Sequence, residues 1–336
     1  RYRLVDFLIS SMVHSGMSNV SLLVRKNYLS LVDHLGSGRE WDLARKKGGI
    51  NVFPPYAQRN AKVFNGWIEG LENIKGFLTN QTEKYVILAD ANFAINFDFT
   101  KLIEAHVASG ADATAVYRKA EIPMSFRNMR SNTHEYYYTF GLDDNERISS
   151  IDINSNAEGV VNMGMNMYIV ERKLLIKMID DAYIHGFTYF MRDLLAPNIN
   201  NLNLMGYCYD GYVAYIHDMK SYFEENMKLI EEENVKALFD GDPIYTKIRD
   251  DNPTRYMQGS KVKNVMAADG CVIEGEVENC VLFRGVRIGK GAKVKNCVLM
   301  QDTVIEDGCE VQYVITDKNV RITAGKYLSG NDEYQV

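Results

Sequence analysis

Over the first two-thirds of the chain, short continuous apolar runs alternate with stretches whose apolar residues recur every three or four positions. Val20-Ser21-Leu22-Leu23-Val24 is an apolar run after an amphipathic start. Tyr85-Val86-Ile87-Leu88-Ala89 is another, closed by Asp90, and reads as a buried parallel strand. A helix is predicted from Phe99 to Ser109 with Gly110 as its stop, then a strand over 111–117. Helical spacing returns over 172–182 and 220–233. This alternation predicts an α/β domain with a mostly parallel sheet and helices on both faces. Ligands of such sheets sit beyond the carboxyl ends of the strands, so the loop after Leu88 is the first place to look for chemistry.

The texture changes twice. Residues 236–259 are rich in turn formers, as in Phe239-Asp240-Gly241-Asp242-Pro243 and Asp250-Asp251-Asn252-Pro253, and read as a linker. From Lys261 a period of six sets in. Leu282, Ile288, Val294 and Met300 keep it, and Ile305 and Val311 resume it after a one-residue slip. Gly285, Gly289, Gly291 and Gly308 fall between them. Apolar residues every six, with turn formers between, predict a triangular β-helix whose core is built by stacking one coil on the next. The domain reading is therefore 1–235, a linker over 236–259, and a β-helix over 260–336.

Composition narrows the function. The chain has 336 residues, with Lys+Arg 38 against Asp+Glu 44 and a net charge of −6. That argues against a nucleic-acid partner, which needs a basic field. No apolar run reaches the ~20 residues that cross a membrane. Five cysteines, Cys208, Cys271, Cys280, Cys297 and Cys309, show no C-x-x-C spacing and read as reduced core thiols of a cytoplasmic protein. The sequence opens Arg1-Tyr2-Arg3-Leu4 inside an amphipathic pattern, so an N-terminal piece is expected to be absent from it.

Several stretches carry a resemblance. They are Tyr2-Arg3-Leu4-Val5-Asp6-Phe7 with His14-Ser15-Gly16, Phe140-Gly141-Leu142-Asp143, and Met163-Gly164 with Tyr168. Phe223-Glu224 with Asn226-Met227, and Val281-Leu282-Phe283-Arg284-Gly285-Val286-Arg287-Ile288, complete the set. In order and spacing the chain resembles the ADP-glucose pyrophosphorylases (glucose-1-phosphate adenylyltransferases) over nearly its whole length. The resemblance implies a Rossmann-like nucleotidyltransferase domain with a mostly parallel sheet, followed by a left-handed β-helix. It also implies the family reaction, in which ATP and glucose-1-phosphate give ADP-glucose and pyrophosphate. Charge builds on phosphate oxygens in that reaction, and Mg²⁺ with cationic side chains stabilises it.

Carried over residue by residue, the family pattern is altered where its charge is concentrated. The first metal aspartate, in the family's "SGDHIYKMDY", falls on Asn92. The second, upstream of "WEANM", falls on Tyr215. The sugar-phosphate lysine of "FVEKP" falls on Ile153, and the glutamate beside it becomes Asp152. An amide lacks the charge that holds Mg²⁺, and a phenol is neutral at pH 7. The "RGTADAV" segment keeps Gly66 and places Trp67 where the family has a small residue against nucleotide. Gly66, Asp90, Asp152 and Gly164 are what remains of the substrate-binding set. The family's glycine-rich loop would precede Arg1.

The pattern resembles the GlgD-type second subunit, a non-catalytic or weakly catalytic partner of a catalytic ADP-glucose pyrophosphorylase subunit. No cofactor is then expected for this chain, and its assembly would be a hetero-oligomer, most simply a tetramer. The alternative is an active adenylyltransferase with a rebuilt Mg²⁺ site in which Asp90 or Asp218 substitutes. Against it, Asp90 also reads as a strand-end residue and Asp218 as the N-cap of a helix starting near Met219. An acyltransferase, the other common user of such β-helices, is disfavoured because residues 218–336 contain no histidine. Tyr136-Tyr137-Tyr138 reads as one strand with alternate faces buried rather than a base-stacking platform, and His217 is given no role. Charges over 260–336 nearly balance, so a sugar-phosphate effector would need a local basic pocket, with Arg284 and Arg287 as candidates.

Overall fold

A computed structural model describes residues 2–24, 28–54, 66–123, 126 and 136–336. The helices are α1 (Leu4–His14), α2 (Leu29–Leu35), α3 (Trp67–Asn73), α4 (Lys75–Thr79), α5 (Phe99–Ser109), α6 (Arg172–Ile184), α7 (Met219–Lys228) and α8 (Glu232–Phe239). The strands before the β-helix are β1 (Asn19–Leu23), β2 (Gly49–Phe53), β3 (Tyr85–Ala89), β4 (Phe93–Ala94), β5 (Ala113–Glu121), β6 (Tyr138–Leu142), β7 (Ile148–Ile153), β8 (Val160–Glu171), β9 (Leu204–Cys208) and β10 (Ala214–Tyr215). Two compact units result. One holds Ser11–Ala91 and Phe97–Gly211; the other holds Arg1–Ser10, Asn92–Asn96 and Tyr212–Val336.

The first unit is built on a mixed sheet. β8 runs antiparallel to β3 and β5, and β9 runs parallel to β5. β6 pairs antiparallel with β7 and β8. Strands β3, β5, β6 and β9 therefore share one direction. The majority direction matches the parallel expectation, but β8 threads between those strands and makes most bonded neighbours antiparallel. Leu88, Ala115, Tyr168 and Val170 of the sheet pack in one buried core with Leu175 and Ile179 of α6. Each fully buried side chain of this size contributes ~1.5–3 kcal/mol.

Local signals set the helix ends. Asp98 caps α5, its side chain accepting from the Thr100 N–H at 2.9 Å, and Gly110 closes it at φ 61°. Phe99, Leu102 and His106 form the buried stripe of α5 at helical spacing. Ser11 and Ser15, at the end of α1, accept from the Phe97 and Phe99 N–H groups at 3.0 and 2.9 Å. Tyr137 and Tyr138 are both buried, and only Tyr138 lies in β6. The three tyrosines are thus not one strand with alternate faces covered, because Tyr136 and Tyr137 precede the ladder.

The second unit contains the β-helix. Coils advance by 17 residues, as from Lys293 to Glu310, except where Lys261 lies beside Glu276 and Val272 beside Arg287, 15 residues on. Inward positions stack on their equivalents. Ile273, Ile288, Ile305 and Ile322 form one row, and Val277, Val294 and Val311 another. Cys280 lies beside Cys297, and these two, Cys271 and Cys309 are all buried. A 17-residue coil is one short of three hexapeptides, so Leu299 rather than Met300 takes the inward slot beside Leu282. Asn264, Asn279 and Asn296 turn one corner at φ 54°, 51° and 52°, a region asparagine tolerates. Their amides form a ladder, Asn264 donating to Asn279 at 2.8 Å and Asn279 to Asn296 at 3.2 Å.

Residues 236–259 do not behave as a free connector. α8 continues to Phe239, and Leu238 and Ile244 pack with Phe7 of α1, Ala94 of β4 and Ala214 of β10. Thr246 is buried and donates to the Asp6 carboxylate at 2.7 Å. The Tyr245 N–H donates to Ser10 Oγ at 2.9 Å, and Asn96 to the Asp242 carbonyl at 2.8 Å. The prolines and glycines set the turns, while Ile244 and Thr246 between them anchor the segment. Contacts divide the chain at Gly211/Tyr212 rather than at 235/236.

Candidate functional site

Two of the positions where the resemblance implies a metal aspartate, Asn92 and Tyr215, lie along one short ladder of the second unit. β4 and β10 pair antiparallel, Tyr215 opposite Phe93, and the Ile216 N–H donates to the Asn92 carbonyl at 3.0 Å. The Tyr215 ring lies 4.8 Å from Phe93 and is stacked on His217 at 5.3 Å. The Asn92 side-chain oxygen is buried and has no hydrogen-bond partner among the described residues. An acceptor in that state costs ~1–3 kcal/mol.

Asp218 follows on the same strand exit and is occupied. Its carboxylate accepts from the Ser221 N–H at 2.7 Å, and Ser221 Oγ accepts from the Asp218 N–H at 3.0 Å. This is the capping box of α7, as the N-cap expectation requires. Burial pushes the Asp218 carboxyl up, but the Ser221 N–H and hydroxyl outweigh it and hold it below the ordinary carboxylate value.

The other residues lie in the first unit. Asp90, just past β3, accepts from the Asn166 side chain at 3.1 Å, and its N–H donates to the Asn166 carbonyl at 3.2 Å. Asn166 has φ 49°, and its side-chain oxygen accepts from Tyr168 at 3.1 Å. Tyr168 in turn meets the Trp67 indole edge-on at 5.8 Å, and Trp67 also contacts Phe190 at 6.2 Å. Trp67 is therefore a wedge packed on the sheet, one end of a chain of contacts that finishes at Asp90. Gly66 abuts the Thr188 backbone, where a Cβ would collide with the carbonyl oxygen. At Gly164 a Cβ would come within 2.8 Å of the Phe140 ring. Both glycines thus have packing reasons to be kept. Asp152 and Ile153 are exposed on β7, opposite Thr139 and Tyr138 of β6.

Sequence reasoning passed over Arg192 and Asp193. The Arg192 guanidinium lies 4.2 Å over Tyr189 and 5.0 Å over Tyr136, and donates to the Tyr136 hydroxyl at 2.8 Å. Asp193 pairs with it and accepts from the Thr188 and Tyr189 N–H groups at 2.9 Å each. Burial raises the Asp193 carboxyl, but Arg192 and those two N–H groups bring it below the usual range. The signal available in the sequence was the tyrosine run itself. A cation held in an aromatic frame needs tyrosines from separate segments.

The family resemblance implies Mg²⁺, which takes hard, charged oxygens in near-octahedral geometry. The β4–β10 pair offers one amide oxygen and one phenol. No group of three or more His, Cys, Asp or Glu side chains converges among the described residues. These residues do not fit the ion.

A nucleotidyltransferase-type sheet followed by a hexapeptide β-helix defines the class. The chain matches the nucleotidyl transferase family model over residues 1–138 and a GlmU-like C-terminal hexapeptide model over residues 247–335, and the latter is a left-handed β-helix. It is 32% identical over 335 residues to the glycogen biosynthesis protein GlgD of Bacillus subtilis, covering 99% of this chain and 85% of that protein. It is 34% identical over 296 residues to GlgD of Geobacillus stearothermophilus, covering 88% and 74%. The glucose-1-phosphate adenylyltransferase of the latter organism is 30% identical over 302 residues, covering 88% and 75%. The chain belongs to the family formed by the GlgD proteins and the glucose-1-phosphate adenylyltransferases. No helix among the described residues is long and apolar enough to cross a membrane.

Proposed function

We propose that this chain serves glycogen biosynthesis as a regulatory partner of a catalytic glucose-1-phosphate adenylyltransferase subunit, with little or no turnover of its own. The observation that carries the reading is the β4–β10 pair. Asn92 lies beside Ile216 and Tyr215 opposite Phe93 in that ladder, an amide and a phenol where the resemblance implies two carboxylates. A fold that keeps its packing glycines and its sheet while losing cation donors retains binding surfaces and gives up the charge that lowers the barrier. Ile153, exposed where the resemblance implies a lysine, removes a second phosphate-side charge. Coupling then acts through subunit contacts as a binding free energy. The assembly is a cytoplasmic hetero-oligomer, most simply a tetramer, responsive to a sugar-phosphate effector.

The reading is tested by assaying ADP-glucose formation by the purified chain, by a catalytic subunit, and by the mixture. The chain alone is expected to fall at least ~10³-fold below the catalytic subunit, since both metal donors and a phosphate cation are altered. The mixture is expected to change the catalytic subunit's rate or its effector response. Comparable turnover by the chain alone, or a mixture no different from its parts, overturns the reading.

A further inference from the structure

Helix α5 buries three side chains at helical spacing, Phe99, Leu102 and His106. The first two are apolar. The third is only 2% exposed, yet it carries a ring that gains a proton near neutral pH. Its Nδ1 lies 2.8 Å from Oγ1 of Thr114 in β5, a residue also 2% exposed. The imidazole meets the Tyr85 ring of β3 at 5.0 Å and 88°. One histidine thus ties the last turns of α5 to two strands of the sheet.

That tie suits a neutral ring. A charged imidazole has two N–H donors, and the Thr114 hydroxyl receives one of them. The other ring nitrogen has no bonded partner among the described residues. The titratable groups on this face of the sheet follow from the strand register. β3 offers Tyr85, with Lys84 just before it and its Nζ 4.8 Å over the Tyr85 ring. Glu171 of β8 lies opposite Tyr85. On β9, Met205 lies opposite Thr114 and Tyr207 opposite Val116, so Tyr207 is the group that β9 contributes. Asp112 precedes β5, and α5 itself carries Lys101 and Glu104 on its exposed side. Burial pushes the His106 ring below its ordinary value of 6.5, Lys84 adds to the fall and Asp112 opposes it.

We propose that His106 is a pH-sensitive clasp: the neutral ring holds the C-terminal half of α5 on the sheet, and protonation lets that half lift. The N-terminal half keeps anchors of its own, the Asp98 cap on the Thr100 N–H and Ser15 Oγ accepting from the Phe99 N–H. Loosening is therefore confined to residues 104–110, the half that carries His106. The sign follows from the lowered value. A lifted ring, free in water, takes its proton as pH drops below 6.5, before the docked ring does. Docking is thus full above that pH and weakens below it.

Residue-resolved amide exchange of the 336-residue chain at about pH 7.5 and 5.5, corrected for the intrinsic pH dependence of exchange, tests the clasp. Opening of residues 104–110 is expected to rise at least ~3-fold, with ~10-fold the ceiling for one pH unit below the free-ring value. α6, whose buried face holds no histidine, should show no such rise. His106→Gln keeps a side chain able to bond Thr114 but unable to charge, and its α5 opening should stay flat. An equal rise in wild type and His106→Gln overturns the proposal, as does a rise shared by α6 or no rise in wild type. Titration of the His106 ring by NMR in the wild-type chain stands even where the variant does not fold. A midpoint below 6.5 supports the clasp, and one at or above 6.5 overturns it.

Discussion

In the β-helix, Ile288 is covered by Ile273 and Ile305, its own equivalents one coil before and one coil after. In the mixed sheet, Leu88 is covered by Tyr168, a residue from a strand far along the chain that runs the opposite way. The first arrangement repeats, so each position explains its neighbour. The second depends on one pairing between strands far apart in the chain. Repetition makes the β-helix tolerant of which small apolar residue fills a slot and intolerant of losing the slot. The sheet is sensitive at single wedges such as Trp67.

The largest effect is expected where stacking is continuous. Ile305→Ala removes side-chain contacts to two coils at once and should cost ~3–4 kcal/mol, read as a fall in the urea midpoint with little change in slope. Trp67→Ala should cost ~3 kcal/mol, because the indole packs on Tyr168 and Phe190. A Trp67→Phe change should recover most of that loss. If Trp67→Ala is neutral, the wedge reading fails and the indole is only a surface cover.

Thr246→Val should cost ~1–3 kcal/mol. It leaves a buried Asp6 oxygen without the hydroxyl that donates to it and loosens the segment that composition alone marks as a linker. Limited proteolysis within 240–254 should then quicken, which a true free linker would not show. Asp218→Ala should cost ~1 kcal/mol as a lost cap. Its pH dependence has a definite sign. The folded carboxyl titrates below its ordinary value of about 3.8, so the stabilisation is full above that value and disappears as pH falls through the lower folded one. The variant should therefore lose the acid-side slope that the parent shows. Smallest of all is Lys263→Ala on the exposed charge ladder with Glu278, within ~0.5 kcal/mol and further reduced by salt.

What could be read in advance follows the same division. The strand at 85–89 and the helix at 99–109 were legible because their signals are local: an unbroken apolar run, an aspartate cap and a glycine stop. The β-helix period was legible because it repeats. The direction of β8 was not, since nothing within 160–171 says which strands it will separate. Nor was the half-burial of β3, whose run has the composition of a strand covered on both faces. The reading of Asn92, Tyr215 and Ile153 as changed positions came only from the family pattern. The structure added a buried amide oxygen at Asn92 and a Tyr215 ring stacked on His217 and tilted against Phe93. Arg192 escaped because its aromatic frame, Tyr136 and Tyr189, comes from two separate segments.

Titration with Mn²⁺, followed by the paramagnetic resonance of the free ion, tests the central claim most directly, because Mn²⁺ takes the same oxygen donors as Mg²⁺. The account predicts no stoichiometric binding by the isolated chain, and the same titration curve for wild type and Asn92→Ala. One equivalent of tightly held Mn²⁺ that Asn92→Ala releases would contradict it.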